Sequence, residues 1–387
     1  MTPGARCAAA AEILDRWLAG EPAEKILTNW SRASRFAGSK DRAAVRDLVF
    51  SAIRRRRSSA VLGHGETGRA LVLGYLRSTG QDPEELFSGI GHAPDLLTDA
   101  ERQPPRSLEL GERLDCPDWL LPECTRSLGE ERDRTLEAMR DRAPVYLRAN
   151  LARTSRQSAV DRLAVEDIVT RPHPLSPSAL EAVEGARRVQ GSACYRDGLV
   201  EIQDAASQAV SDAIPLPDAG AVLDYCAGGG GKTLALAARG AGPIFAHDAD
   251  PRRMKDLPTR AARAGASVER LSGNDVARHA PYALVVADVP CSGSGAWRRQ
   301  PEARWRLEPD MLEGLLALQR EIVDDVAPFV APGGALAYVT CSMFRSENED
   351  QADWFLKRDG WAWESGRRFS PLEGGDGFFL AVFRRNA

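Results

Sequence analysis

The chain has 387 residues, a length that points to two or three domains, and its 43% apolar and 27% charged residues with a net charge of −4 exclude a disordered or collagen-like chain. No stretch approaches the roughly 20 uninterrupted apolar residues of a bilayer-spanning helix, and the apolar patch near the start carries Arg6, Glu12 and Asp15. A cytoplasmic protein without a membrane partner is the expectation. The seven cysteines (Cys7, Cys116, Cys124, Cys194, Cys226, Cys291 and Cys341) are scattered and odd in number, so they read as reduced thiols rather than a disulfide framework. None stands in a C-x-x-C pair and the five histidines lie far from any cysteine pair, so no metal site is expected.

Residues 1–60 hold twelve Lys/Arg against six Asp/Glu, ending in the run Arg54 to Arg57, whereas residues 61–140 hold nine against sixteen. A basic segment inside an acidic chain is what a phosphate-binding surface requires, because each neutralised phosphate adds affinity. A solvated helix face would carry the same charge. Ile13, Leu14, Trp17 and Leu18 fall on one helical face, and Val45, Leu48, Val49 and Ile53 repeat at helical spacing. Turn residues at Gly20 to Pro22, Gly38-Ser39 and Gly63 to Gly65 punctuate the pattern, and Pro104 to Pro117 reads as a connection. The expected organisation is a helical domain over 1–135, a small α/β module over 136–205 and a catalytic α/β domain over 206–387.

In the module, Val145 to Asn150 reads as a strand, Ser155 to Leu163 as a helix, and Ile168 to Thr170 and Leu199 to Ile202 as short extended pieces. Beyond Gly220, apolar runs at Ala221 to Asp224, Pro243 to His247, Ala283 to Asp288 and Gly334 to Thr340 alternate with helical stretches. That alternation predicts a mostly parallel, doubly wound sheet, with a ligand beyond the carboxyl ends of its strands.

The first of these strands runs into Tyr225, Cys226, Ala227, Gly228, Gly229, Gly230, Gly231, Lys232 and Thr233. Four glycines let the backbone approach a ligand and open amide donors at a helix start. A P-loop needs glycine where Cys226 stands, and a dinucleotide fingerprint needs it at Thr233 or Leu234, so both motifs fail. Asp248, after the second strand, is placed to accept ribose hydroxyls. Asp250 reads as the cap of the helix beginning at Pro251, and Asp275 as a candidate for an adenine amino group. Two later strands end in thiols, Asp288-Val289-Pro290-Cys291 and Thr340-Cys341-Ser342. A pair of strand-end thiols beside a carboxylate suits nucleophilic chemistry at a pyrimidine: sulfur adds to carbon 6, carbon 5 then accepts a methyl group, and the sulfur is expelled. Spacing alone does not rank the two thiols.

The segments DYCAGGGGKT, ADVPCSGSG with RRQPEARW, and VTCSMFRSENE resemble the RsmB/Sun family of RNA cytosine-5 methyltransferases, which use S-adenosylmethionine. Residues 142–150 and 195–208 resemble the stretch preceding that family's catalytic core, and the helical third resembles its NusB-like RNA-binding domain. The resemblance implies a Rossmann-like class I methyltransferase core with Cys341 as nucleophile and Cys291 as the thiol that releases product. Asp288 would face both cytosine and cofactor, Cys226 to Lys232 would wrap the methionine and ribose portions, and Asp248 and Asp275 would lie at ribose and adenine. Where the family usually reads Ala-Pro, this chain has Gly228-Gly229, which loosens the turn and predicts weaker cofactor affinity at most. Trp305, Arg298, Arg299 and Arg304 would suit contacts to a flipped-out base, and Ser346 with Glu349 reads as a capping box. The expected activity is methylation of small-subunit ribosomal RNA, with transfer RNA as alternative substrate and no obligatory protein partner. A non-catalytic RNA-binding protein keeping the fold, and an ATPase reading of Gly231 to Thr233, complete the alternatives.

Overall fold

A computed structural model describes all 387 residues, which divide into two compact units. The first comprises Met1–Thr125, Gly129–Arg142 and Trp297–Arg306. Its helices Pro3–Leu18, Ala23–Ala33, Ser39–Arg54, Arg56–Leu62 and Gly68–Ser78 bury Ile13, Leu14, Ile26, Val45, Val49, Ile53, Leu71 and Leu73 in one core. Glycine is required where the last of these helices packs, because a Cβ at Gly68 would lie 1.9 Å from the Ala11 carbonyl and one at Gly74 would lie 1.9 Å from that of Ser59.

The basic run is used up inside this unit. Arg54 is buried and donates to the Arg298 carbonyl at 2.8 Å, Arg55 pairs with Asp141, and Arg57 pairs with Asp118. Burial pushes the Arg54 guanidinium down to about 10. Arg304 and Trp305 differ from their expected role. Arg304 is 1% exposed and donates to the Asp115 carbonyl, and the Trp305 ring nitrogen donates to the Ile53 carbonyl, so neither is displayed for a flipped base. Charge is no sign of exposure for a guanidinium that caps carbonyls inside a core.

The second unit comprises Arg126–Leu128, Ala143–Ala296 and Leu307–Ala387. It holds two sheets. Strands β1 (Val145–Ala149), β2 (Thr170–Pro172), β3 (Ala179–Ala182) and β4 (Val200–Ile202) form an antiparallel sheet in the order β2-β3-β1-β4. Strands β5 (Val222–Asp224), β6 (Ile244–Ala246), β7 (Val268–Arg270), β8 (Tyr282–Asp288), β9 (Val330–Thr340), β10 (Trp361–Phe369) and β11 (Phe378–Arg385) form the larger sheet, ordered β10-β11-β9-β8-β5-β6-β7. Strands β5 to β9 pair in parallel, and β11 is antiparallel to β9 and β10.

Successive residues face opposite sides of this sheet, and both sides are covered. Leu223, Val285, Leu336 and Tyr338 pack into one core while Val222, Leu284, Val286, Ala337 and Val339 pack into the other. Such strands read as continuous apolar runs, which is why β5, β6, β8 and β9 were visible in the sequence. Strand β7 and the β10–β11 hairpin were not read. The chain winds from β5 through β6 to β7 and then returns to place β8 on the other flank of β5. The loops after β5 and β8 therefore diverge at a topological switch point, where open α/β sheets bind ligands. No helix is long and apolar enough to cross a membrane.

Candidate active site

The turn after β5 is held in shape by its own amides. The Ala227 amide donates to the His247 carbonyl at 2.9 Å, the Gly228 amide to Asp248 Oδ2 at 2.9 Å, and the Gly230 amide to the Ala227 carbonyl at 2.8 Å. Gly228 and Gly230 have φ of 51° and 79°, the left-handed region that favours glycine, and a Cβ at Gly230 would meet Leu257 at 2.2 Å. The helix Gly231–Ala238 follows directly. Asp248 is 3% exposed, receives the Asp250 amide at 3.0 Å and pairs with Arg253 at 3.1 Å. Its carboxylate thus shapes the glycine turn. Asp250 caps Pro251–Met254 through the Arg252 amide. Asp275 lies in the first turn of Gly273–His279, bonded to Ser272 Oγ at 2.5 Å and to Arg278 at 2.8 Å. The Ser272 hydroxyl, with Arg278 behind it, holds the Asp275 carboxyl below its usual range.

From the first turn of its helix, Lys232 reaches β8 and donates to Asp288 Oδ2 at 2.6 Å, with its ammonium 5.0 Å above the Phe378 ring. Burial alone would depress this ammonium, but Asp288, helped by Cys341 and Asp224, outweighs it and raises the Lys232 pKa. Cys226 lies in the combined field of Asp224, Asp288 and Asp248, and burial above all raises its thiol. Sequence reasoning gave no role to Asp224. It is 1% exposed, accepts from Thr233 Oγ1 at 2.6 Å, and its Oδ1 has no partner in the protein. Burial pushes it up to about 6.

The loops after β8 and β9 bring the two strand-end sulfurs to 3.3 Å, both partly exposed. Contact with Cys341 first, and burial second, raise the Cys291 thiol well above its ordinary value. Glu347 fixes this register and was also missed. Fully buried, it accepts from the Ser292 amide at 2.8 Å, the Ser292 hydroxyl at 2.5 Å and the Ser342 hydroxyl. Gln319 donates to it at 3.0 Å and also to the Pro290 carbonyl. One carboxylate in the loop after β9 therefore holds both the residue after Cys341 and, across to the loop after β8, the residue after Cys291. The repeated Cys-Ser pair was the signal available in the sequence. The proposed capping box does not form: Asn348 is the cap residue of Glu349–Phe355, and Glu349 pairs with Arg368 at 2.6 Å.

Residues 213–384 match the family described as 16S rRNA methyltransferase RsmB/F, and residues 116–190 match the ferredoxin-like domain of the same family. The chain is 30% identical over 289 residues to the ribosomal RNA small subunit methyltransferase B of Serratia proteamaculans, covering 68% of this chain and 65% of the relative. It is 32% identical over 287 residues to the protein of that name in Xanthomonas campestris, covering 69% and 65%. The chain thus spans less than two thirds of the length of the curated relatives it matches. Among solved structures, PH0851 superposes over 100% of this chain and 99% of its own at a TM-score of 0.78 and 23% identity. A methyltransferase homolog from Pyrococcus horikoshii covers 71% of this chain and 97% of its own, at a TM-score of 0.63 and 24% identity. These two show the same class I methyltransferase fold. The sequence matches extend through the glycine turn and both thiol loops, and the chain belongs to the RsmB/F methyltransferase family.

Proposed function

We propose that the protein transfers a methyl group from S-adenosylmethionine to carbon 5 of a cytosine in ribosomal RNA, in the cytoplasm, through a covalent adduct with Cys341. The observation that carries this reading is the pair of sulfurs 3.3 Å apart, with Lys232 bonded to Asp288 under the field of Cys341. The cofactor fits the residues present. The glycine turn lacks side chains that would fill the approach, and the buried Asp224 Oδ1 is itself an acceptor without a partner in the protein, suited to a cationic or N–H-bearing ligand. Cys226, Ala227, Gly228, Gly229, Gly230, Gly231 and Lys232 would hold its methionine and ribose portions, with Asp248 and Asp275 toward ribose and adenine. When bound, it supplies a methyl group activated on a sulfonium.

In this reading the Cys341 thiolate, in the field of the Lys232 ammonium, adds to carbon 6, and the electron pair of the 5,6 double bond becomes available at carbon 5. Asp288 faces the base and stabilises the adduct. Bonding to carbon takes Cys341 out of its hydrogen bond with Cys291, the largest influence raising that thiol. Cys291 then releases its proton to solvent and takes the proton of carbon 5. Re-forming the double bond expels Cys341 as thiolate.

The helical unit supplies a docking face for RNA in this scheme. Arg32, Arg35, Lys40 and Arg42 are exposed around the junction of helices Ala23–Ala33 and Ser39–Arg54, with Phe36 at 75% exposure among them, and none of the four pairs with a carboxylate. The run Arg54 to Arg57, by contrast, is engaged internally. Methyl transfer from labelled S-adenosylmethionine to small-subunit ribosomal RNA, followed by nucleoside analysis, tests the reading. 5-Methylcytidine as product supports it, and any other methylated nucleoside refutes it.

A further inference from the structure

The four-glycine turn is held from outside by the small antiparallel sheet. Arg148 on β1 and Glu201 on β4 are cross-strand partners and both are 5% exposed. Arg148 Nη1 donates to the Gly231 carbonyl at 2.9 Å and to Gln203 Oε1 at 2.6 Å. Glu201 binds Arg260 through two hydrogen bonds, at 2.9 and 2.5 Å, and also binds Arg263. Arg260 in turn donates to the Gly229 carbonyl. Two alternate carbonyls of the turn are thus gripped by guanidinium groups, that of Arg260 ordered by the buried Glu201 carboxylate and that of Arg148 by Gln203. Asn150 adds a further tie by donating to the Ala264 carbonyl at 2.9 Å, at the end of the helix that carries Arg260.

Glycine loses more conformational freedom on ordering than any other residue, and a binding turn must be ordered before its amides can hold a ligand. A buried guanidinium with a fixed fork is suited to supply that order. We propose that Arg148 and the Glu201–Arg260 pair are positioning residues that preorganise the Gly228–Gly231 turn for S-adenosylmethionine, doing from the neighbouring sheet what a proline within the turn would do. The role rests on the cofactor reading above and adds to it a function for the small sheet.

Two readouts on the full chain test this. In ligand-free protein, hydrogen exchange of the amides at 227–233 reports the order of the turn. Titration with S-adenosylmethionine reports its consequence. Arg260→Met, on a partly exposed helix, is expected to speed exchange at the turn and weaken binding about tenfold, the scale of one charge-assisted hydrogen bond. Glu201→Gln should give the same effect, and the double variant should cost no more than either alone, because both act through the Gly229 carbonyl. Arg148→Met acts on Gly231 and should add to them. Unchanged turn exchange and binding within twofold in Arg260→Met and Glu201→Gln would overturn the proposal, leaving these residues as packing alone. Failure of the unsubstituted protein to bind S-adenosylmethionine would instead refute the cofactor reading, and the exchange measurement would still decide whether the clamp orders the turn.

Discussion

The protein contains two close cysteine pairs, one in each unit, and they differ in burial and surroundings. Cys116 and Cys124 lie 3.9 Å apart in the helical unit, fully buried, beside the carbonyl of Pro117. Cys291 and Cys341 lie 3.3 Å apart, partly exposed, at the carboxyl ends of β8 and β9. In each pair the contact between sulfurs raises one thiol. Contact with Cys124, despite opposing burial, lowers Cys116, and contact with Cys116, reinforced by burial, raises Cys124. Contact with Cys341 raises Cys291 in the same way. Proximity and a raised thiol are therefore common to both pairs. What distinguishes the sheet pair is access, the Lys232–Asp288 ion pair, and the glycine turn that faces the same strand ends.

The comparison breaks most sharply at the proposed nucleophile. Cys341→Ala is expected to lower methyl transfer by about 10⁴-fold or more, whereas Cys116→Ala should leave it within about twofold, both read by label incorporation into RNA. An active Cys341→Ala protein would erase the distinction. Next in size is Cys291→Ala, expected to cost about 10²–10⁴-fold in turnover, the range of a lost proton-transfer group. It should also accumulate a protein–RNA adduct stable on a denaturing gel. Combining it with Cys341→Ala must abolish that adduct, and persistence would reverse the two assignments.

Glu347→Gln sharpens the comparison through stability, because the helical pair has no such carboxylate tie. Replacing a buried acceptor of several hydrogen bonds should cost about 3 kcal/mol in denaturant unfolding. A loss below about 1 kcal/mol would mean that the two loops keep their register without it. A second effect on stability concerns pH. Asp224 has its native pKa raised to about 6 from 3.8. Between those values the native state binds more protons than the unfolded state, so this group's contribution favours folding at low pH and is lost as pH rises through about 4 to 6. Asp224→Asn should remove that slope and stabilise the ligand-free protein above pH 6 by up to about 3 kcal/mol. Thermal unfolding from pH 4 to 8 measures it, and an unchanged slope would assign the pH dependence elsewhere.

Much of the catalytic sheet was legible because its central strands are covered on both faces. Ala283 to Asp288 and Gly334 to Thr340 are nearly unbroken apolar runs, and each ends in the residues that the geometry brings together. Strand β10 was not legible: Ala362 to Arg367 are exposed, so its pattern carries no buried face. The larger omissions are contacts between distant residues. Glu347 meets Ser292 across 55 positions, and Arg148 meets Gly231 across 83. Local patterns favoured a helix cap at Ser346–Glu349 and exposed cations at Arg304 because capping and solvation are the local uses of those residue types. The fold assigned them to an ion pair and a core instead.

The central claim is that one sulfur of the sheet pair bonds to the base and the other releases it. The direct measurement is peptide mapping by mass spectrometry of the covalent complex formed by Cys291→Ala with ribosomal RNA in the presence of S-adenosylmethionine. A cytosine-derived nucleotide attached to Cys341 is the predicted result. Attachment to any other residue, or methylated cytosine appearing without a bond to Cys341, would contradict it.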